Sequence, residues 1–210
     1  MNFSFLLELL AGSSSVKYLS GATYRVNDDW PDGSCQFRDI MDYRTNPYVV
    51  GVGSWWWKHS LACGQCILIE NGNRRSWGIV ADYCPECTPR QLDVSPQISR
   101  QLSPTGITQN YPTLNVSLAQ CRYIPSHPLR YQFYDGSSDW VWYLGVQYTS
   151  EPILALKIND QPAQHDGYGR WVVRGKRGQN RITLRNNHTS VNDTIDWQPG
   201  TREVWSKISF

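Results

Sequence analysis

The chain of 210 residues lacks features that mark several classes of protein. No apolar run reaches 18 residues, so no segment is long enough to cross a bilayer as a helix. Charged residues make up only 18 % of the chain and the formal net charge is +2. Nucleic acids and anionic membranes require clustered Lys and Arg, so neither is expected as a partner. Internal repeats and low-complexity tracts are also missing.

Phenylalanine is scarce, whereas tryptophan and tyrosine are abundant: five Phe stand beside ten Trp and twelve Tyr. Trp and Tyr combine a flat apolar face with a polar edge. Such rings stack on the C–H face of a sugar while neighbouring donors reach its hydroxyls. The composition therefore indicates a carbohydrate-binding surface. The alternative is that β-rich domains carry many aromatic residues in their strands.

The cysteines form an even set of six: Cys35, Cys63, Cys66, Cys84, Cys87 and Cys121. Fifteen disulfide pairings are possible, and the middle four also match the C-x2-C…C-x2-C spacing of a zinc site. Glycosylation sequons, which favour a secreted chain, occur at Asn2, Asn115, Asn187 and Asn192. We expect three disulfides, no metal or other cofactor, and a secreted, extracellular or cell-wall location.

The chain divides into three parts. Residues 1–19 are interpreted as a remnant of a leader. The apolar run from Phe3 to Ala11 resembles the core of a signal peptide, and Ala11-Gly12-Ser13 resembles a cleavage site. Glu8 interrupts the run, and no basic residue precedes it. Two prolines within residues 124–128 mark a stiff linker, since proline bars helix and central strand. The predicted domains are therefore 20–124 and 125–210, in a chain expected to be monomeric.

Short strands dominate both predicted domains. In the first, strands are predicted at residues 22–26, 67–70, 77–81 and 116–119, with a helix that starts at Ser95-Pro96 and a weaker helix over 49–57. This combination fits a compact barrel. In the second, strands are predicted at residues 129–134, 140–148, 153–158, 169–173, 181–184 and 203–208, which indicates an antiparallel sandwich.

Several motifs together resemble a known family. GATY (21–24), ACGQC (62–66), VADYCPEC (80–87) and LDVSP (92–96) are similar to the double-psi β-barrel of expansins. DGSSDWVW (135–142) and YGRWVV (168–173) resemble the carbohydrate-binding, immunoglobulin-like sandwich that follows that barrel. The His-Phe-Asp tripeptide of plant expansins is absent, so the chain looks more like the microbial branch.

The resemblance implies a protein that binds cell-wall polysaccharide, cellulose or a related glucan, and loosens it without hydrolysis. It places the key acid at Asp93, with Asp82 and Thr23 in support. Tyr24, Tyr83 and Glu86 are the implied substrate contacts of the barrel. Where some microbial members carry a loop Tyr, this chain has Cys84.

The resemblance also implies a disulfide pattern, in which Cys84 pairs with Cys87. The remaining four cysteines would tie Cys35 and Cys121 to the Cys63–Cys66 segment.

The carboxylates of the sequence do not decide between hydrolysis and non-hydrolytic loosening. Glycosidic bonds are usually broken by two carboxylates, one acting as acid and one as base or nucleophile. Asp93 is the acid candidate, and capping of the Ser95 helix is the alternative role for it. Family 45 endoglucanases, which share the barrel, have their base four residues after the Thr of the first strand. Here that residue is Asn27, which cannot accept the proton, although a bulge would bring Asp28 or Asp29 into place.

Aromatic residues of the second domain are the candidates for gripping the polymer. Trp140 and Trp142 have the i, i+2 spacing that places both rings on one face of a strand. Tyr168 and Trp171 are expected to extend the row. Core packing is expected to take at least one ring of Trp55-Trp56-Trp57, so none of these is assigned to the site.

The main hypothesis is therefore a non-hydrolytic, expansin-like wall protein. A glucan hydrolase or lytic transglycosylase that uses Asp93 with Asp82 or Asp28 is the first alternative. A non-catalytic carbohydrate-binding or inhibitor protein is the second, because fold alone does not separate these functions.

Overall fold

The computed structural model describes residues 18–26, 33–37, 48–57, 60–103, 114–119 and 129–208. As the sequence predicts, the protein is mainly β: a closed six-stranded barrel is followed by a sandwich of two sheets. The predicted leader, the linker at 124–128 and Cys121 lie outside the described residues, and the boundary between the domains stays a prediction. No helix among the described residues is long and apolar enough to span a membrane.

The barrel consists of β1 (Tyr18–Val26), β2 (Val49–Val52), β3 (Cys66–Asn71), β4 (Arg74–Tyr83), β5 (Gln91–Val94) and β6 (Leu114–Leu118). The strands close in the order β1-β5-β2-β4-β3-β6. β1 pairs with β5, and β2 with β4, in parallel. The other pairs are antiparallel.

Strand alternation separates the barrel core from its outer face. Val50, Val52, Leu92 and Val94 are buried in the core cluster. Asp93 lies between two of them in β5, and its side chain therefore points away from the core. The same alternation fixes the outward face of β1 and β2, from which the candidate site is built.

Two short helices flank the barrel: α1 (Ser54–Trp57) and α2 (Pro96–Leu102). α2 begins as predicted, with Ser95 as the N-cap residue in extended conformation and Pro96 in the first turn. The predicted helix over 49–57 is wrong in its first half, which is β2. A short buried apolar run has no period that distinguishes strand from helix. Gly53 separates the two elements, and a Cβ there would lie 2.4 Å from the carbonyl oxygen of Thr88.

The sandwich pairs a four-stranded sheet, ordered β10-β9-β13-β14, with a five-stranded sheet, ordered β11-β12-β8-β7-β15. The strands are β7 (Arg130–Phe133), β8 (Trp142–Gln147), β9 (Ala155–Ile158), β10 (Gln161–Pro162), β11 (Gln164–His165), β12 (Trp171–Val173), β13 (Gly178–Arg185), β14 (Ser190–Trp197) and β15 (Glu203–Trp205).

Aromatic rings join the two sheets. Trp142 of β8 lies 5.2 Å from Phe133 and 5.4 Å from Trp197 of the opposite sheet, measured between ring centroids. Trp142 is fully buried, and Trp171 is buried in the same cluster. The prediction that Trp140 and Trp142 share one exposed face is therefore wrong. Trp140 precedes the strand in a loop, where the alternation of β8 does not apply, and it is 84 % exposed.

The barrel and the sandwich are hydrogen-bonded to each other. The N–H of Cys66 donates to Thr149 at 2.9 Å, and the N–H of Thr149 donates to Gly64 at 3.1 Å. The phenol of Tyr134 donates to the carbonyl of Cys35 at 2.9 Å. Backbone bonds of this kind fix the position of the sandwich relative to the barrel.

Candidate functional site

A row of residues crosses four neighbouring barrel strands on their outward face. Arg25 of β1 is the register partner of Asp93 of β5, and Asp93 is the partner of Gly51 of β2. Gly51 is in turn the partner of Asp82 of β4. Two strand spacings place the backbones of Asp93 and Asp82 about 10 Å apart. Gly51 has no side chain between them, so the row has a carboxylate on each side of a glycine.

Asp93 is bound by an arginine. The residue is only 3 % exposed, and its Oδ2 accepts a hydrogen bond from Nη2 of Arg25 at 3.0 Å. This hydrogen bond is the largest cause that raises the pKa of Arg25. The guanidinium stabilises the negative charge of a carboxylate that would be costly to bury alone. Burial and the Glu86 carboxylate within 4.8 Å act in the opposite direction, so the contact with Arg25 does not by itself decide whether Asp93 can serve as an acid.

The same guanidinium contacts Glu86. Arg25 forms an ion pair with the exposed carboxylate of Glu86, so one cation bridges a buried and an exposed acid. The pKa of Glu86 is lowered mainly by a hydrogen bond from the Glu86 backbone N–H, and to a smaller extent by the hydrogen bond from Arg25. Glu86 lies in the loop that the Cys84–Cys87 disulfide closes, which holds this carboxylate above the barrel strands.

Asp82 and Thr23 flank the ion-paired cluster. Oδ1 of Asp82 accepts hydrogen bonds from the backbone N–H groups of Ser34 at 2.5 Å and Tyr83 at 2.8 Å, which ties β4 to the loop 33–37. Thr23 is half-buried and lies two residues before Arg25, on the same outward face of β1. Asp93, Asp82 and Thr23 therefore lie on the same outward face as Arg25.

The aromatic contacts predicted for the barrel separate into two environments. Tyr24 is 1 % exposed in the core cluster, because it alternates with the outward Thr23 and Arg25. Such a position offers no surface to a polymer. Tyr83 is half-buried and stacks on Trp57, with ring centroids 5.3 Å apart and planes inclined by 26°. The stacked pair lies at the end of β4, where Tyr83 is the register partner of Val52.

The described cysteines are all disulfide-bonded. Cys35 is bonded to Cys63 and Cys84 to Cys87, as the resemblance implied, and Cys66 is also disulfide-bonded. Sγ of Cys84 lies within 4.8 Å of carboxylate oxygens of Glu86 and Asp93. A disulfide sulfur is not a thiolate ligand, so this group offers two carboxylates, both of them engaged by Arg25.

The hydrolase alternative depends partly on Asn27, Asp28 and Asp29, which lie outside the described residues. Within the described part, Asp93 is an ion-paired carboxylate. The N-cap position of α2 is Ser95, two residues beyond Asp93, and the Asp93 side chain is bound to Arg25.

On the sandwich, two of the predicted aromatic residues are exposed. Trp140 is 84 % and Tyr168 66 % exposed. The register of β8 and β12 pairs Val173 with Trp142 and Trp171 with Leu144. β8 and β12 are antiparallel, so Trp140, which precedes β8, and Tyr168, which precedes β12, lie at opposite ends of this strand pair. A single sugar ring does not reach both, whereas an extended polymer can.

The outer face of β8 lies between these rings. Tyr143 is half-buried there, and the guanidinium carbon of Arg170 lies 5.4 Å from its ring centroid. Arg170 is held by Asp166, whose Oδ2 accepts from Nε at 2.6 Å. Tyr143 also packs against the cluster that contains Cys35, Phe37 and Tyr134, so it belongs to the contact between the sandwich and the barrel.

Sequence reasoning missed two residues of the site. Arg25 was overlooked although it lies two residues after Thr23, and strand alternation alone places both on one face. Trp57 was set aside with its neighbours, of which Trp56 is buried in the core as expected. The stacking of Trp57 on Tyr83 joins residues 26 positions apart, and no local pattern indicates it.

The comparisons agree with this architecture. No protein-family model and no curated protein sequence matches the chain. Among solved structures, the apo form of the Clavibacter michiganensis expansin is 22 % identical with a TM-score of 0.72, covering 92 % of this chain and 98 % of that one. A mutant of the same expansin in complex with cellohexaose is 19 % identical with a TM-score of 0.70, covering 88 % and 94 %. The chain therefore has an expansin-like fold over nearly its full length.

Proposed function

We propose that the protein binds cell-wall β-glucan and loosens it without hydrolysis, as a secreted, expansin-like wall protein. The observation that carries the proposal is the Arg25–Asp93 ion pair on the outward face of the barrel, on the same molecule as exposed aromatic residues. The complex of the similar C. michiganensis expansin with cellohexaose supports a cello-oligosaccharide as ligand class.

The chemistry of the barrel face suits exchange of hydrogen bonds. Arg25 is one-third exposed and Glu86 is exposed, so this pair offers donors and acceptors to sugar hydroxyls, while the buried Asp93 holds the guanidinium in place. A glucan chain laid on this face can replace bonds to its neighbour chains with bonds to Arg25 and Glu86. Bond cleavage needs in addition a protonated acid and a base that activates water, and Asn27 stands where family 45 endoglucanases carry that base.

Trp140 and Tyr168 are the residues that bind the polymer on the sandwich. Their exposed rings offer apolar faces to successive sugars, and their separation along the sheet favours a chain over a monosaccharide. Trp142, Trp171 and Tyr24 are not part of this proposal, because they are buried.

Secretion is part of the proposal because disulfides persist in oxidising compartments. At least five cysteines are disulfide-bonded. Two of the sequon residues, Asn187 and Asn192, are exposed and therefore open to glycosylation.

Three measurements on the intact protein test the proposal: pull-down on insoluble cellulose, xyloglucan, chitin and peptidoglycan, creep of wall strips under load, and release of reducing ends. We expect binding to cellulose, increased creep and no release of sugar. Steady release of reducing ends would select the hydrolase or transglycosylase alternative. Binding without creep would select a non-catalytic binding protein.

A further inference from the structure

Strand β7 is buried on both of its faces. Tyr131 and Phe133 point into the core of the sandwich. Arg130 and Gln132 alternate with them and therefore point the opposite way, yet both are buried as well. The outward face of a sandwich normally meets water, so another part of the molecule covers this one. For Gln132 that part is loop 33–37 of the barrel.

Two side chains of the sandwich donate hydrogen bonds to consecutive carbonyl groups of this loop. Nε2 of Gln132 donates to the carbonyl oxygen of Gln36 at 3.2 Å. The phenol of Tyr134, two residues further along the sandwich, donates to the carbonyl oxygen of Cys35 at 2.9 Å, and this bond is buried. A buried acceptor that loses its donor costs free energy, so the two bonds hold the loop against the sandwich.

Gln132 is itself oriented by neighbouring side chains. Its Oε1 accepts from Nε2 of Gln147 at 2.6 Å, and Oε1 of Gln147 accepts from Nη1 of Arg130 at 3.4 Å. Arg130 is in turn ion-paired to Glu203. Because its oxygen is engaged within the sandwich, the Gln132 amide directs its nitrogen toward the barrel loop.

A glycine of β8 makes room for the loop. Gly145 is the register partner of Gln132, and a Cβ there would lie 2.5 Å from the phenolic oxygen of Tyr134 and 3.2 Å from Cε1 of Phe37. Phe37 is buried and shares one apolar cluster with Cys35 and Tyr134. The loop is therefore packed on the sandwich as well as hydrogen-bonded to it.

The other side of the loop faces the candidate site of the barrel. The N–H of Ser34 donates to Oδ1 of Asp82 at 2.5 Å, and the N–H of Cys35 donates to the carbonyl of Ala81 at 3.2 Å. Ser34 immediately precedes Cys35, whose carbonyl binds Tyr134. One short segment thus contacts both the sandwich and the Asp82 carboxylate.

Loop 33–37 is closed by its own hydrogen bond, from the N–H of Gln36 to the carbonyl of Gly33 at 2.9 Å. This is the bond of a four-residue turn, and such a turn moves as a unit. The places of the Cys35 and Gln36 carbonyls therefore fix the place of the Ser34 N–H.

The exposed Tyr168 is attached to the same segment. The N–H of Gly169, the next residue, donates to Oγ of Ser60 at 2.7 Å. A Cβ on Gly169 would lie 3.0 Å from Sγ of Cys63 and 3.4 Å from Cα of Cys35, which are joined by a disulfide. The backbone that presents Tyr168 therefore rests on the disulfide that anchors the loop.

Asp82 has one donor from its own strand and one from the loop. The N–H of Tyr83 belongs to β4, whereas the N–H of Ser34 belongs to the segment that the sandwich holds. Two donors on one oxygen fix the direction of a carboxylate, which with a single donor turns more freely about its side-chain bonds. The loop therefore sets the direction in which the half-buried Asp82 presents its other oxygen.

We propose that the sandwich positions the Asp82 carboxylate of the barrel through loop 33–37, with Tyr134 and Gln132 as positioning residues. The loop sets the carboxylate relative to Tyr168, so that a polymer bound on the sandwich meets Asp82 in a fixed place. The effect on wall loosening rests on the proposed function, whereas the attachment of Asp82 to the loop does not.

The first test follows hydrogen exchange of the Ser34 amide by NMR in the full chain. Tyr134→Phe keeps the ring and removes one donor to the loop. Tyr131→Phe is the matched control, because it removes a phenol that lies in the sandwich core. We expect at least tenfold faster exchange in Tyr134→Phe and in Gln132→Met, and unchanged exchange in Tyr131→Phe. Asp82→Ala, which removes the acceptor, sets the largest acceleration to be expected.

The second test compares creep of wall strips with binding to insoluble cellulose. Tyr134→Phe should lower creep at least threefold and leave cellulose binding within twofold of wild type, because Trp140 and Tyr168 remain on the sandwich. A purely structural role of Tyr134 predicts a lower melting temperature with an unchanged Ser34 amide, as in Tyr131→Phe.

Two results would overturn the inference. One is an unchanged Ser34 amide in both Tyr134→Phe and Gln132→Met, or equal acceleration in Tyr131→Phe. The other is wild-type creep in a variant whose Ser34 amide exchanges faster. If the wild-type protein causes no creep, the proposed function fails, and the amide measurement still decides whether the sandwich positions Asp82.

Discussion

At the scale of single residues, Arg25 and Glu86 set the surroundings of Asp93. A guanidinium at 3.0 Å favours the ionised carboxylate, whereas burial and the Glu86 carboxylate within 4.8 Å favour the protonated form. The ion pair fixes the guanidinium, so Arg25 and the exposed Glu86 present a donor and an acceptor side by side. Hydrogen-bond exchange needs this pair, and it needs no proton on Asp93.

Asp93→Asn is the direct test of this reading. The amide keeps the shape but loses the charge paired with Arg25, so creep of wall strips should collapse while binding to insoluble cellulose through the sandwich persists. Asp160→Asn is the control, because Asp160 lies exposed in the turn between β9 and β10. Full creep activity in Asp93→Asn would show that the carboxylate has only a structural part.

Trp140→Ala should weaken cellulose binding about tenfold, since packing a large ring on a sugar contributes on the order of 1–3 kcal/mol. Its exposed position predicts an unchanged melting temperature. Trp142→Ala is the matched contrast, because this ring fills the sandwich core and its loss should cost about 3–5 kcal/mol of folding free energy. Both variants are compared by depletion binding and thermal unfolding. Unaltered affinity for cellulose in a folded Trp140→Ala variant would assign the binding to Tyr168 instead.

At the scale of elements, the sequence predicted some strands well and missed others. β3, β4 and β7 were located within a few residues of their observed ends. β14 was missed, because its inward position 193 is Asp, which breaks the alternation of apolar and polar residues. β2 was taken for helix because Val49–Val52 is buried throughout. Neither error is random: the first occurs at Asp193, a polar residue that faces the sandwich core, and the second in the strand that carries Gly51.

Those residues of the site that belong to motifs on a single strand could be predicted from the sequence. Asp93, Asp82 and Thr23 follow from the resemblance, and the barrel order brings their strands together. The ion pair was not predictable, because it joins residues 68 positions apart. The burial of Trp142 depends on where β8 begins, and strand ends are the least determined feature of a sequence.

The Cys84–Cys87 loop provides a prediction for an element. Chain-entropy reasoning assigns so short a loop about 2 kcal/mol of stabilisation, against about 3.5 kcal/mol for the longer loop closed by Cys35–Cys63. Replacing both Cys84 and Cys87 by Ser should therefore lower stability less than the same change at Cys35 and Cys63. It should nevertheless reduce creep more, because it releases Glu86 from Arg25. Denaturant unfolding of both double variants checks the expected ranking in stability, and wall creep checks the expected ranking in activity. Equal creep in the two would leave the loop without a functional role.

At the scale of the whole molecule, the barrel and the sandwich act on one polymer only if their surfaces keep a fixed relation. Gly64 lies at their contact with φ of +78°, and a Cβ there would meet the carbonyl oxygen of Val146 at 2.4 Å. The ladder continues through Gln65, which forms a bridge with Thr149. An interface made of backbone groups cannot adapt to an added side chain by rotating a rotamer.

Gly64→Ala should therefore separate the two surfaces. Gly72→Ala is the control, because Gly72 has φ of +57° but nothing within 4 Å of its added Cβ. Both variants incur the backbone cost of a left-handed residue, about 1–2 kcal/mol. Only Gly64→Ala also pushes the sandwich away from the barrel, so its melting temperature should fall further. It should lose most wall creep while cellulose binding, which depends on the sandwich alone, is retained. Equal melting temperatures and equal creep in the two variants would mean that the barrel and the sandwich do not need a fixed relative position to loosen the wall.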